Sequence, residues 1–220
     1  MIVSLDQVNA LARSKYKNYM ITVQSADSMM LSDLAEEEDI LTTSTPNPIE
    51  RFFTFLTLEV RDTEVDKAIL EMRITLAKED KIKGTDRSAA LAKKDKPKKS
   101  AIHDNFIEVC RSLSDDLAKS AKTLCETKYY KNTQFDVGSR IAFIDELNLN
   151  NSNFPDYLIF TLNRLNVILS ESLGINLRLA VLAKENIHCP FDKNINKVLS
   201  QADLATTHQK GFYIKTYSAE

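Results

Sequence analysis

His188 and Cys189 are adjacent, and a thiol beside an imidazole could form a nucleophile with its base or contribute two metal ligands. A zinc site needs three or four converging ligands, and neighbouring residues of an extended chain point to opposite sides. We therefore interpret the pair as a packed cysteine beside a loop histidine, and we predict no metal site and no cofactor. An enzyme with a dispersed site around Cys189 and His188 stays an alternative.

Three carboxylate pairs, Glu37–Glu38, Asp115–Asp116 and Asp145–Glu146, could in principle perform acid–base catalysis. Such catalysis needs one member of the pair in an apolar pocket that separates the two pKa values. The spacing places each pair on the polar face of a predicted helix, so we interpret all three as solvated surface. We therefore predict no catalytic residue among them, and no enzyme.

A basic segment carries five lysines within seven residues: Lys93, Lys94, Lys96, Lys98 and Lys99. Lysine clusters can neutralise phosphates, but this one has no interleaved aromatic residue on which a base could stack. The rest of the chain is acidic and would repel a polyanion. We interpret the segment as a solubilising linker or as a docking site for an acidic partner, and a nucleic-acid-associated protein that uses it stays an alternative.

Two further groups of residues are candidates for partner binding. Three phenylalanines at 52, 53 and 55 cannot all face one core if their segment is a helix. Either one of them is exposed or buried in a partner, or the two lobes pack on both sides of this helix. The acidic run that contains Glu36, Glu37 and Glu38 is either a solvated helix end or a surface complementary to a basic partner. The predicted partner-binding residues, besides the lysines of the basic segment, are Phe52, Phe53, Phe55, Glu36, Glu37 and Glu38.

The chain has 220 residues but only 4 glycines, and this scarcity excludes several classes of protein. All-β sandwiches and barrels need many tight turns with positive φ. The glycines, at 84, 138, 174 and 211, are at least 36 residues apart. Dinucleotide-binding and P-loop motifs need clustered glycines, so both motifs are absent.

Charge divides the chain into three blocks. Residues 1–83 hold 10 basic and 15 acidic side chains, residues 84–101 hold 6 and 2, and residues 102–220 hold 13 and 14. The middle block is too poor in apolar residues to offset its ordering entropy. We therefore predict an acidic helical lobe at 1–83, a basic flexible linker at 84–101, and a helix-rich lobe with short strands at 102–220.

In the first lobe, Asn47-Pro48-Ile49-Glu50 is typical of a helix start. The apolar residues that follow fit one helical face up to Val60, although residues 53–58 also have high strand propensity. A second segment has the same helical spacing, at Val65, Ile69, Met72 and Leu76. Tyr19–Val23 is ambiguous. We predict helices for residues 48–60 and 63–76.

In the second lobe, regular apolar spacing predicts a long helix from Ala101 to Lys128, and Cys110 and Cys125 near its apolar face should pack in the core. A shorter helix is predicted over 137–147. Pro155 starts another, which ends at Gly174. After Gly174 the apolar period changes to two, which predicts a strand, and a last helix and a short edge strand at 212–217 complete the lobe.

In size, acidity, Asn/Lys/Ser content and helical build, with the Asn148–Asn153 loop and the Lys93–Lys99 segment, the whole chain resembles small accessory adaptors of bacterial type IVB (Dot/Icm) secretion coupling complexes. The resemblance implies a cytoplasmic subunit that helps to assemble the coupling complex or to recruit effectors. It implies no particular functional residue.

These observations predict a mainly α fold, with α+β as the alternative, in two helical lobes. The predicted function is that of a non-catalytic adaptor or accessory subunit of a larger cytoplasmic assembly. We expect other protein subunits as partners, and neither a small-molecule substrate nor nucleic acid. No apolar run approaches the roughly 20 residues that span a bilayer, so contact with a membrane would be peripheral, through a membrane complex.

Overall fold

The computed structural model describes residues 19–25, 52–78, 106–132, 139–191 and 194–217. In chain order the elements are β1 (Tyr19–Ser25), β2 (Phe53–Asp62), β3 (Lys67–Lys78), α1 (Asp115–Glu126), α2 (Lys128–Asn132), β4 (Ser139–Leu149), α3 (Phe154–Leu173), β5 (Asn176–Ala183), β6 (Ile187–His188), α4 (Ile195–Gln201), β7 (Ala205–Thr206) and β8 (Phe212–Thr216). A 3-10 turn at Lys184–Asn186 joins β5 to β6, and residues 106–111 are also helical.

Eight strands form one mixed sheet in the order β1-β2-β3-β4-β5-β8-β7, with β6 beside β4. Neighbouring strands are antiparallel, except that β4 runs parallel to β5 and to β6. A parallel pair needs a crossover connection, and α3 provides it between β4 and β5. The protein is therefore an α/β protein built on a single large sheet.

The prediction of a mainly α fold is wrong, because the helices predicted at 48–60, 63–76 and 137–147 fall on β2, β3 and β4. β4 buries apolar side chains on both faces, so its apolar residues recur at a spacing of three as well as two and imitate a helical pattern. In β2 and β3 the apolar residues of 56–60 and of 70–76 alternate with polar ones, which is a strand pattern that the helical prediction gave too little weight. The expectation of an α-helical protein is wrong for the same reason.

The two helical lobes of the predicted fold are also wrong, because both halves of the chain contribute strands to the same sheet. β3 precedes the predicted linker and β4 follows it, yet they pair from Leu70 opposite Leu149 to Lys78 opposite Arg140. The linker itself, residues 84–101, lies outside the described residues.

The first face of the sheet is covered by α3 and α4. The apolar residues of α3 face the sheet, and Leu158, Leu162 and Leu165 are fully buried there. The helix ends at Gly174, which adopts φ 66° in the left-handed region and donates its backbone N–H to the last turn. The helix predicted from Pro155 to Gly174 and the strand predicted after it are both confirmed.

The second face of the sheet is covered by α1 and the helical residues 106–111. Phe106, Cys110 and Leu124 pack there against Phe143 and Val181 of the sheet, so the two cysteines predicted in the core are confirmed as buried. The long helix predicted from Ala101 to Lys128 is interrupted at residues 112–114. Ser114 caps α1 by accepting a hydrogen bond from the Leu117 N–H at 3.0 Å.

The chain closes on α4 and the β7–β8 hairpin at the far edge of the sheet. The predicted last helix and the strand predicted at 212–217 are found as α4 and β8, but the predicted edge position is wrong, because β8 pairs with β5 on one side and with β7 on the other. Lys215 of β8 is buried, and its ammonium group donates to Asn163 Oδ1 and to the Ala202 carbonyl, both at 2.7 Å. This lysine therefore ties β8 to α3 and to the C-terminal end of α4.

Candidate functional site

A cavity of about 330 Å³ lies on the second face of the sheet, beside the first turns of α1. Strands β2 to β5 form its floor, and the 3-10 turn Lys184–Asn186 contributes to its rim. The cavity lies at the carboxyl end of β5, beside the middle of the parallel strand β4. Ligand sites recur at this position in α/β sheets, because the chain leaves the sheet there and opens a crevice.

The crevice opens because β4 changes partner at this point. β5 pairs with β4 as far as Ile144, and β6 resumes the pairing only at Leu147. Between them the chain leaves the sheet in the 3-10 turn, and Asn186 Nδ2 donates to the Ile144 carbonyl at 3.1 Å. The Asn186 side chain thus supplies a hydrogen bond to β4 at the point where neither β5 nor β6 pairs with it.

A β-bulge places Asp145 in the cavity. Arg73 of β3 lies opposite Glu146, and the next residue, Ile74, lies opposite Ile144, so Asp145 has no partner on β3. A bulge re-aims the side chain of its extra residue and is over-represented beside functional sites. Asp145 consequently lines the cavity instead of continuing the alternation of β4.

The Asp145 carboxyl group accepts a hydrogen bond from the Thr75 hydroxyl at 2.5 Å. The Asp145 side chain as a whole is exposed, but its carboxyl group is surrounded closely enough by protein atoms to lose part of its hydration. The resulting loss of hydration raises the pKa of Asp145 to about 6, even though the hydrogen bonds from Thr75 act to lower it. Asp145 therefore titrates near neutral pH.

The cavity walls are a mixture of apolar and hydrogen-bonding side chains. The apolar wall consists of Phe55, Leu56, Ile74, Leu113, Leu117, Phe143, Ile144, Val181 and Ala183. The uncharged polar groups are Thr57, Thr75, Ser114, Ser120 and Asn186. A concave apolar surface with a few convergent polar groups is the usual composition of a binding site.

The charged residues of the cavity leave an excess of negative charge. Arg73 Nη1 lies 3.0 Å from Glu146 Oε2, and Glu185 Oε1 lies 3.1 Å from Lys119 Nζ, so these charges are paired. Asp116 and Asp145 form no ion pair with any described residue. We call this cavity the acidic cavity, and its free carboxylates can accept a proton, an N–H donor or a cation.

A metal ion is not favoured by the side chains that the structure describes. Over those residues, no group of three or more His, Cys, Asp or Glu side chains is arranged to hold one. His188 is exposed on β6, while Cys189 is half-buried and donates its thiol hydrogen to the Phe191 carbonyl at 3.6 Å. Neither residue lines the acidic cavity. An enzyme with a dispersed site around them stays an untested alternative to the prediction of no enzyme.

The three phenylalanines predicted to bind a partner lie at the start of β2. Phe53 is buried in the core of the second face, and Phe52 is half-buried against it. Phe55, also half-buried, lines the acidic cavity. Since alternate residues of a strand share a face, Phe53 and Phe55 can lie on one side, which a helix would not allow. Their role in partner binding stays a prediction.

The charged residues predicted to bind partners lie outside the described residues. They are Glu36, Glu37, Glu38, Lys93, Lys94, Lys96, Lys98 and Lys99.

Sequence reasoning noted Asp145 but assigned it to the solvated face of a helix. The signal that could have identified it is the apolar run 141–144 that ends in two carboxylates. A short apolar run is typical of a strand buried on both faces, and polar residues at its carboxyl end are where α/β proteins bind ligands. The bulge that turns Asp145 into the cavity has no comparable signal.

Comparison with protein-family models, with curated proteins and with solved structures finds no match to this chain. The resemblance to Dot/Icm adaptors therefore stays a prediction. None of the helices that the structure describes combines the length and the apolar character needed to cross a membrane.

Proposed function

We propose that the chain is a non-catalytic protein-binding subunit of a larger cytoplasmic assembly, and that its acidic cavity receives a lysine or arginine side chain of a partner. The observation that carries this proposal is a carboxyl group, Asp145, without a counter-ion in an apolar-walled cavity. The coupling complex of a bacterial secretion system is the assembly suggested by the resemblance.

The shape of the cavity suits a long side chain with an apolar stem. Lysine and arginine bury their methylene groups against apolar surface while the charged head reaches a polar partner. Phe55, Leu113 and Phe143 offer such a surface in the same cavity as Asp145. The hydroxyl groups of Thr57 and Ser120 can accept further N–H donors.

The electrostatics of the cavity favour a cation over a neutral group. The pKa of Asp145 is raised because its ionised form is poorly hydrated and has no positive partner. An ammonium or guanidinium group would supply that partner and lower the pKa again. Binding would then release a proton at pH values near 6, and affinity should rise with pH until Asp145 is fully ionised.

A partner could extend from the cavity across the neighbouring strands. On the same face, β2 and β3 carry ion pairs, with Arg61 Nε 2.6 Å from Glu59 Oε1 and Arg73 Nε 3.6 Å from Glu71 Oε1. This polar surface beside an apolar cavity has the anatomy of a protein interface, in which a polar rim surrounds a buried anchor.

The proposal is tested by purifying the tagged full chain from its native host and quantifying the co-purified proteins by mass spectrometry. Asp145→Asn should lower the recovery of a specific partner, because a charge-assisted hydrogen bond of about 1.5–3 kcal/mol corresponds to roughly a tenfold or greater loss of affinity. Asp156→Asn is the matched control, since Asp156 is exposed on α3, on the other side of the sheet. Equal recovery with both variants would contradict the proposal.

The class of ligand is tested by nuclear magnetic resonance titration with two capped amino acids. The two compounds are Nα-acetyl-lysine N-methylamide and Nα-acetyl-norleucine N-methylamide, which we call the lysine and the norleucine derivative. Both have an apolar stem, but only the lysine derivative carries a side-chain ammonium group. The lysine derivative should perturb the amide signals of β4 and of residues 184–186 more strongly, and Asp145→Asn should remove the difference. A stronger response to norleucine would show that the cavity selects apolar groups instead.

A second candidate function is favoured by the pKa of Asp145, because a general base works best when its pKa is near the ambient pH. Under this alternative, the hydroxyl-lined cavity would bind a small molecule and Asp145 would remove a proton from it. Turnover of a compound by the purified chain, abolished by Asp145→Asn and retained by Asp156→Asn, would establish the alternative.

A further inference from the structure

A second cavity, of about 550 Å³, lies at the far edge of the sheet between α4, the β7–β8 hairpin and the start of the 3-10 turn. We call it the basic cavity. Its position is set by Lys184, whose backbone N–H donates to the Gly211 carbonyl at 2.7 Å and so holds the two turns together. Gly211 itself has φ 90°, a conformation that favours glycine at this turn.

The basic cavity is lined by positive charge. Lys184 and Lys210 are exposed at its rim and form no ion pair with any described residue. His208 also lines it, and its Nε2 lies 3.2 Å from Glu126 Oε2 on α1. Within the described ranges, no Asp or Glu lines this cavity, in contrast to the acidic cavity.

Uncharged donors add to the two ammonium groups. The Tyr213 hydroxyl donates to Asn196 Oδ1 at 2.7 Å. The Asn196 amide nitrogen takes no part in that bond, and it has two hydrogens to donate. Ser200 and Thr206 contribute hydroxyl groups to the lining. The cavity therefore combines two ammonium groups with several neutral donors, and hydrogen bonds from charged donors are the stronger ones for binding an oxyanion.

The two cavities are built by one turn. Within the three residues of Lys184–Asn186, Lys184 lines the basic cavity, while Glu185 and Asn186 line the acidic one. Lys119 of α1 neutralises Glu185 and does not line the basic cavity. The turn thus places the positive charge of Lys184 in the basic cavity and the negative charge of Glu185 in the acidic cavity.

We propose that the basic cavity binds a small ligand through a phosphate group, with Lys184 and Lys210 as its charged contacts and Asn196, Ser200 and Thr206 as its neutral donors. A phosphate monoester carries close to two negative charges and three acceptor oxygens, which matches two lysines and several N–H and O–H donors. Leu204 and Tyr213, both largely buried, also line the cavity, so only a small apolar area faces the organic part of such an ester. This site is independent of the partner site proposed above.

The experiment is a nuclear magnetic resonance titration of the full chain with phenyl phosphate, inorganic phosphate and benzyl alcohol at low ionic strength. Phenyl phosphate should shift the amide signals of residues 184, 196, 206 and 210–211, while benzyl alcohol should not. Tighter binding of phenyl phosphate than of inorganic phosphate would assign the site to an ester, and equal binding would assign it to the free ion; both results support a phosphate site.

The decisive variant is Lys184→Gln/Lys210→Gln, which should weaken phenyl phosphate binding by roughly a hundredfold, because each lost charge-assisted contact is worth about tenfold. Lys122→Gln/Lys197→Gln is the matched control, since it removes the same charge from two exposed lysines outside the cavity. It should change the affinity less than about threefold, through the long-range field alone. An unchanged melting temperature verifies that each variant is folded.

The proposal is overturned if the Lys184→Gln/Lys210→Gln variant binds phenyl phosphate like the wild type, or if the control variant loses as much affinity. It is also overturned if the shifted signals lie on other elements, since phosphate would then bind the chain elsewhere.

Discussion

The two faces of the sheet differ in how completely they are packed. On the first face, a continuous apolar cluster extends from Tyr19 and Ile21 of β1 to Tyr213 of β8 beneath α3 and α4. On the second face, the described helices cover β4, β5 and β8, while β2 and β3 carry ion pairs. The acidic cavity lies at the boundary between these two halves. The comparison assigns most of the stability to the first face and the proposed binding of a partner side chain to the second.

The largest expected effect is on the first face. Leu162→Ala removes a fully buried side chain from the middle of α3 and should lower the free energy of unfolding by about 2–5 kcal/mol, through lost burial and the cavity left behind. Thr57→Ala on the second face is the control, and it should cost less than about 1 kcal/mol because Thr57 is only half-buried. Urea denaturation measures both, and equal losses would remove the assignment of stability to the first face.

A smaller effect is expected where α1 meets the acidic cavity. Ser114→Ala removes the cap of α1 and should cost about 1 kcal/mol. Since Ser114 also lines the cavity, the same change should weaken binding of the lysine derivative. Amide hydrogen exchange should be faster over residues 115–118 and unchanged in α3. If exchange in α3 rose equally, the two faces would unfold as one unit and the comparison would fail.

The smallest effect concerns the pH dependence of stability. Because burial raises the pKa of Asp145 above the ordinary value of 3.8 to about 6, the folded chain holds this proton more tightly than the unfolded chain. Asp145 therefore makes the free energy of unfolding fall as pH rises from about 4 to 6, and the loss stays constant above that range. Asp145→Asn removes this loss and should stabilise the chain at pH 7.5 by about 1 kcal/mol, a figure reduced for solvent access to the carboxyl group.

Melting temperatures of Asp145→Asn and the wild type, measured from pH 4 to pH 8, test this sign. The two curves should converge near pH 4 and separate as pH rises. A variant that is less stable than the wild type at pH 7.5 would show that the ionised carboxylate stabilises the cavity.

Sequence reasoning succeeds for α3 and β5 because local signals determine them. Pro155 near the start, Gly174 in the left-handed region at the end, and alternation in residues 177–181 are properties of short segments. The pairing of β3 with β4 joins residues about 70 positions apart, and it determines whether the apolar residues of 67–78 belong to a strand. There Leu70, Met72, Ile74 and Leu76 alternate with polar residues, which indicates a strand, but Val65, Ile69, Met72 and Leu76 also fit a helical spacing, so the local pattern supports both structures.

The candidate site depends even more on distant pairing. Asp145 enters the cavity because the register shifts opposite Arg73 and Ile74, and it is hydrogen-bonded to Thr75 on the neighbouring strand. The raised pKa then follows from crowding by groups that only the fold brings together. No residue type or spacing in the sequence encodes this shift locally, so the site could not be predicted from the sequence.

The central claim is that the Asp145 carboxyl group has no counter-ion in the free chain and binds a cationic side chain of a partner. The most direct measurement is a pH titration of the Asp145 side-chain carboxyl signal by carbon-13 nuclear magnetic resonance. It is made with and without Nα-acetyl-lysine N-methylamide, the lysine derivative used above. We predict a pKa of about 6 for the free chain, and a fall toward the ordinary value of 3.8 when the lysine derivative is bound. A pKa near 3.8 in the free chain, or one that the lysine derivative leaves unchanged, would contradict this account.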